Sequence, residues 1–330
     1  MCEIIPYKSY KEQLHEKIKE KNIDFDIDKE DEYITKLKNH SYYALVNGYK
    51  PYFLQKGKTD TMLDNTSFEH LYACKMLEID ISSILLKYLQ IIEQGFRTRL
   101  SHIIAREFGT NDSKYPQRSN YIKHKLRKKV IRSMNQIIDN PHDNSHSYYY
   151  KEQRVPKASI PPWILIQDMN FYHVINLYLI MPEHLRNEIR QDYIVLNPDF
   201  KQENREFANA LHFLREYRNI FAHSKRNFDE KIKYSLDRKL AMCCDYVMLL
   251  SPSSFNKYEK SKQLDACIML ILSFLNDKTL DERFFTEFVN TLREDNYINA
   301  RGEPIQKFHN NTAFDILGLP NDFLLKLLHK

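Results

Sequence analysis

The sequence predicts an all-α fold, and three observations carry that prediction. Glycine is scarce, 6 in 330 residues against a usual share of roughly 7%, which leaves few positions for the tight turns that join short strands. Long stretches repeat apolar residues at the i, i+3, i+4, i+7 spacing of a single helix face. Leu, Ile, Lys and Glu are abundant, and the 42% hydrophobic content is enough for a core. The longest apolar run, Ala266 to Leu275, is too short for the ~20 residues of a membrane span.

The chain divides into three parts by pattern. Residues 1–60 form an aromatic-rich N-terminal segment, 61–250 a helical core with a basic insertion at 110–162, and 251–330 a C-terminal helical extension. In the first part a helix runs from Tyr10 to Lys21, followed by an acidic patch at Asp24 to Glu32. The stretch NHSYYALVNGYKPYF, Asn39 to Phe53, packs four tyrosines around Gly48 and Pro51. It reads as a compact turn docked on the helical body, and core packing explains its rings better than a platform for stacked bases.

Residues 67–107 form the longest predicted helix. Phe68, Leu71, Tyr72, Met76, Ile79, Ile84, Leu85, Tyr88, Leu89, Ile92, Phe96, Leu100 and Ile103 mark its apolar face, and Gly109 ends it as a C-terminal cap. Glu93 and Arg97 sit beside that face as an i,i+4 pair of the favourable orientation. Two readings of them stand: a structural pair, or a support for catalytic groups on a facing helix.

The insertion changes character. From Ser113 to Ile138 come Lys114, Arg118, Lys123, Lys125, Arg127, Lys128, Lys129 and Arg132, with no Asp or Glu among them. Solvated charged faces usually mix signs, so a run of one sign interleaved with Tyr115 and Tyr121 suits an electrostatic groove for RNA. A proline-rich brace, Val155 to Pro162, leads into Trp163. The helical core then resumes, with a helix expected from Asn204 and another apolar-striped one from Tyr234 to Leu250. Further helices follow to the end, with DILGLP and DFLLKLL closing the chain. Five cysteines without a CxxC arrangement fit neither a disulfide framework nor a zinc ribbon, and suit a reducing cytoplasm. Cys243 and Cys244 read as core filler. The start of the chain shows no basic-then-apolar export signal.

The chemistry concentrates in LREYRNIFAHSKRN, which ends at Asn227. Upstream, Phe207, Ala210, Leu211 and Leu214 form a buried stripe, and Arg218 follows Leu214 at i+4, where another apolar residue would be expected. Asn219 and His223 are i,i+4 and share a face. A guanidinium at the margin of an apolar stripe needs an anionic partner, and a phosphate would serve. Spacing by itself decides little, because Arg97/His102, Arg118/His124 and Arg205/His212 fall at similar separations.

Several motifs in order supply what that spacing lacks. NHSYYALVNGYKPYF, FEHLY with Asp80 downstream, IEQGFRTRLSHIIAREFG, Trp163 after two prolines, and LREYRNIFAHSKRNF together resemble the Abi-like (AbiD/AbiF, abortive infection) family over about residues 7–250, and the closing LGLP resembles that family's tail. RNIFAH is similar to the Arg-polar-x-x-x-His signature of the HEPN superfamily. Many relatives carry a second His where Ser224 stands here. The resemblance implies a HEPN-type helical bundle with metal-independent endoribonuclease activity, used as a toxin in phage defence. It also implies a small noncoding RNA as regulator or assembly partner. Arg218, Asn219 and His223 would then be catalytic, with Glu93 and Arg97 supporting, no metal or other cofactor, and a homodimer bringing two motifs into one cleft. The rival from another class is a non-catalytic RNA-binding or interaction module. A DNA-binding regulator rests on the basic run alone and lacks a helix-turn-helix.

Overall fold

The computed structural model describes residues 6–153, 159–194, 203–223, 232–256 and 260–328. Among these, fifteen α-helices stand against four strands of two or three residues each, so the expected all-α class holds. The short strands form two antiparallel pairs, Leu236–Asp237 with Lys260–Ser261 and Gln306–Phe308 with Asn311–Thr312. No described helix is long and apolar enough to cross a membrane.

The longest element is a 41-residue helix, Phe68–Phe108. It ends where Gly109 takes φ +82° and donates its N–H to the Ala105 carbonyl at 3.1 Å, a conformation that glycine adopts without a Cβ penalty. Phe68, Leu71, Leu85, Tyr88, Leu89, Ile92, Phe96, Leu100 and Ile103 are buried along it as expected, whereas Tyr72, Met76, Ile79 and Ile84 are only half-buried and Leu77 and Ile81 are buried in their stead.

The chain folds as two compact units. One contains the residues up to Ile84 together with Phe285 onward. Within it Asn39–Phe53 departs from the expected turn. Tyr43–Asn47 is a π-helical turn that runs directly into an α-helix, Gly48–Phe53, with Pro51 inside. Pro51 lies inside this continuous helical stretch, where its missing N–H leaves one helical hydrogen bond unmade. Tyr49 is buried and donates to Glu78 Oε2 at 2.7 Å; Lys75 Nζ meets the same oxygen at 3.0 Å. This buried carboxylate is therefore both hydrogen-bonded and paired, as burial of a charge demands. Tyr52 donates to the Ile316 carbonyl at 3.2 Å, so the aromatic segment serves packing.

The other unit contains Leu85–His223 and continues to Phe284. Its core is ring against ring. Phe96 lies 5.8–6.3 Å from Phe171, Tyr178, Tyr193 and Phe207, and Phe207 meets Phe274 at 5.5 Å. These rings join the long helix to the helices Phe171–Ile180, Glu203–Ala222 and Leu264–Leu275, in the tilted and edge-on arrangements that aromatic quadrupoles favour.

Two expectations fail in this unit. Tyr234 to Leu250 is not one helix: the strand Leu236–Asp237, the short helix Arg238–Ala241 and a 3-10 turn, Val247–Leu249, replace it. Pairing with Lys260–Ser261 takes the backbone of its first residues, and the Asp237 side chain then caps the new helix by accepting from the Lys239 N–H at 2.8 Å. Cys244 is buried but Cys243 only half so. Nor do Tyr115 and Tyr121 face a groove. Both are buried, and their hydroxyls donate to the Ile160 and Tyr115 carbonyls at 2.8 Å, so they anchor the insertion to the core. Residues 155–158 of the proline-rich brace lie outside the described residues; Pro162 opens the helix Pro162–Asp168, and Trp163 is half exposed on it.

Candidate active site

The motif helix, Glu203–Ala222, buries Phe207, Ala210, Leu211 and Leu214 as its spacing requires. Its last two turns bring Arg218 and Asn219 to the half-buried margin, and His223 follows, exposed, with its backbone N–H on the Asn219 carbonyl at 3.1 Å. Among the described residues the His223 ring has no hydrogen-bond partner. Residues 224–227 of the motif, Ser224 included, lie outside the described residues.

Glu93 organises what faces them. Its Oε1 accepts from Arg97 Nη2 at 2.6 Å and Nε at 3.1 Å, and its Oε2 faces Arg218 Nε at 3.4 Å. The carboxylate thus lies between two guanidiniums from two helices. Arg97 is further tied down by donating from Nη1 to the carbonyls of Ile166 and Met169, the latter at 2.8 Å, and it lies 5.6 Å over the Phe171 ring. Besides Glu93, Arg218 reaches Asn219 Oδ1 from Nη1 at 3.3 Å, and among the described residues its Nε has no hydrogen-bond partner. The structure therefore brings Glu93, Arg97, Arg218 and Asn219 together, with His223 one turn on from Asn219.

The basic run is distributed differently. Lys114, Arg118, Lys123, Lys125, Lys128, Lys129 and Arg132 are exposed, and Arg127 is half-buried with Nη1 on the Tyr121 carbonyl at 3.2 Å. None of the eight forms an ion pair among the described residues. Arg118, Lys128 and Arg132 border a shallow cleft of about 750 Å³ in which Asp112 and Asp139 also stand. Lys129 lies 5.2 Å over the Tyr172 ring.

Spacing missed one functional candidate on the motif helix itself. His212 is almost fully buried, stacked on Tyr234 at 4.5 Å and tilted 5.3 Å from Tyr172. Burial, and then the positive charges of Arg215 and Lys233, push its pKa down to about 3. Its i−7 relation to Asn219 was the only available signal, since i and i+7 share a helix face. No group of three or more His, Cys, Asp or Glu among the described residues is placed to hold a metal ion.

A family model described as Abi-like protein matches residues 35–229, more than half of the chain. Neither a curated protein nor a solved structure matches it.

Proposed function

The chain belongs to the Abi-like protein family, and from that membership, which points to abortive-infection defence against phage, we propose that it is a metal-independent endoribonuclease of the HEPN type acting as a toxin. The observation that carries this reading is the Arg218 guanidinium. It stands in the last turns of the motif helix, faced by Glu93 at 3.4 Å, and among the described residues its Nε has no hydrogen-bond partner.

RNA carries its own nucleophile. The 2′-oxygen attacks the adjacent phosphorus, a base takes the 2′-proton, the P–O5′ bond breaks and an acid returns a proton to the leaving oxygen. The products are a 2′,3′-cyclic phosphate and a 5′-hydroxyl. His223 serves as proton carrier, since an imidazole exchanges protons near neutral pH. Arg218 binds the scissile phosphate in its planar fork and stabilises the charge gathering there, while Asn219 orients Arg218 through its amide oxygen. Glu93, itself fixed by Arg97, keeps the guanidinium aimed.

Two proton transfers call for two carriers, and one His223 per chain supplies one. A twofold dimer apposing the motif helices provides the second, because an isologous interface presents the same patch from each subunit. The exposed basic run holds RNA, either substrate or a small regulatory RNA.

Cleavage of a labelled RNA in EDTA is the test. Activity should disappear in Arg218→Ala and His223→Ala, and the active species should have the mass of a dimer; a strict monomer that cleaves removes the paired-site mechanism. A non-catalytic RNA-binding module is the second reading, favoured by the lack of an orienting partner for the His223 ring among the described residues. Tight RNA binding without cleavage by the intact chain would select it.

A further inference from the structure

A second cleft, of about 550 Å³, opens at the upstream part of the motif helix, within the roughly 300–1,000 Å³ of small-molecule sites. It is built by Lys125 from the basic run, Tyr172 and Asn176 from the helix Phe171–Ile180, His212 from the motif helix and Tyr234 from the chain beyond it. Arg186, Arg205 and Lys233 add positive charge, and no Asp or Glu is among its lining residues. Of the motif-helix carboxylates close by, Glu206 accepts from the Asn209 amide at 3.1 Å, and Glu216 accepts from the backbone N–H groups of Lys233 and Tyr234 at 2.7 and 3.0 Å.

Two buried polar atoms in this wall have no hydrogen-bond partner among the described residues, His212 Nδ1 and Arg186 Nε. Such atoms are rare in folded proteins, and each asks for a partner. The His212 side chain is only 2% exposed, so bulk water does not satisfy it. With its pKa pushed to about 3 by burial and by Arg215 and Lys233, its imidazole is neutral near pH 7 and offers one donor and one acceptor. Asn176, also 2% exposed, adds an amide with both.

A bare phosphate would leave the tyrosines, His212 and Asn176 unused, and a flat apolar molecule would make no use of the positive charge of Lys125 and Arg186. A ligand with an aromatic face, a donor–acceptor edge and an anionic group matches all three kinds of wall. The geometry points to a pocket that binds one phosphorylated nucleoside, base face against Tyr172, base edge toward His212 and Asn176, phosphate toward Lys125 and Arg186. The source is either a residue of an RNA strand or a free nucleotide.

The helix gives the RNA source a further consequence, which rests on the ribonuclease reading above. His212, Arg215, Asn219 and His223 stand at i, i+3, i+7 and i+11, along one helix face, and about 16 Å separates the first from the last. A strand with one base in the cleft would pass its backbone down this line to Arg218 and His223, so the cleft would decide where the cut falls.

The test uses the full chain carrying His223→Ala, which removes turnover. It is titrated separately with a short fluorescent oligoribonucleotide of mixed sequence and with AMP, GMP, CMP and UMP. Tyr172→Leu should weaken binding about tenfold, by the loss of one base–aromatic contact, and Lys125→Gln, on an exposed side chain, by about threefold, whereas Tyr172→Phe should retain it. Dependence with the oligonucleotide assigns RNA, and dependence with mononucleotides alone assigns a free nucleotide. Binding of neither, or binding indifferent to both Tyr172→Leu and Lys125→Gln, overturns the pocket. Should Tyr172→Leu not fold, Lys125→Gln decides the matter alone. Cleavage by the unmodified chain is read in parallel. RNA held through the cleft but never cut removes the ribonuclease and leaves the pocket, while cutting with no shift of cut sites in Lys125→Gln removes the RNA pocket and leaves the ribonuclease.

Discussion

Two arginines share one carboxylate in this molecule, and their surroundings are opposite. On one side of Glu93, Arg97 has a side chain 8% exposed and spends its donors on Glu93 Oε1 and on two backbone carbonyls. On the other side Arg218 is 36% exposed and meets Glu93 through a single 3.4 Å contact. A guanidinium whose hydrogen bonds are all made within the fold is a structural part. One that is aimed but unsatisfied keeps donors for an incoming phosphate. On the proposed ribonuclease reading, Arg97 is architectural, Arg218 is the chemical group and Glu93 serves both.

The sharpest way to break this comparison is to truncate each arginine in turn. Arg218→Ala should lower cleavage by about a hundredfold or more, as loss of a transition-state charge partner does, while shifting unfolding free energy by about 1 kcal/mol or less, because Glu93 keeps Arg97 as its principal partner. Arg97→Ala should reverse the pattern. It leaves Glu93 buried without its principal partner, and removal of one member of a buried pair costs about 3–5 kcal/mol, read as a lower midpoint in urea. If both variants lose stability alike, Arg218 is structural too. Glu93→Gln should produce both deficits in milder form, because the amide keeps the shape and surrenders the charge.

The two histidines of the motif helix extend the contrast. His212 has its pKa pushed down to about 3 by burial, Arg215 and Lys233, against about 6.5 in an unfolded chain. The unfolded state therefore takes up a proton first as pH falls, so His212 contributes stability that is present above about pH 6.5 and is lost on acidification toward 3. Between pH 7 and pH 5 this amounts to on the order of 2 kcal/mol. His212→Gln should flatten that part of the stability–pH curve, as measured by urea titration at each pH. The smallest effect belongs to the basic run. Neutralising Lys125, Arg127, Lys128 and Lys129 together should weaken RNA binding and reduce the slope of log affinity against log salt by at most about 3, at roughly 0.7 per contact for single strands. An unchanged slope would move the RNA elsewhere.

Much of the fold was legible before any coordinates. Local rules govern the long helix and its end: a continuous apolar period, then Gly109 where the backbone needs a positive φ. The same holds for the Glu93–Arg97 pair, set by i,i+4 geometry. The misreadings share a cause, which is that distant partners decided them. Tyr234 to Leu250 has a helical period but lost its first residues to pairing with Lys260–Ser261. Asn39–Phe53 carries turn residues, yet its Tyr49 is drawn into a buried network with Lys75 and Glu78. Tyr115 and Tyr121 read as exposed rings because their neighbours are charged, whereas carbonyls 45 and six residues away take their hydroxyls.

For the site the division is similar. Order along the chain placed Arg218, Asn219 and His223 at the end of one helix and gathered eight positive charges in one insertion, because helical periodicity and charge composition are properties of the chain alone. Folding decided which of two arginines keeps free donors and which side chains Glu93 joins. It also set Lys125 from the insertion beside a buried, neutral His212. Those outcomes depend on burial and on contacts between residues far apart in the chain, which fix solvation and hydrogen-bond partners and which no spacing rule along one strand of sequence encodes.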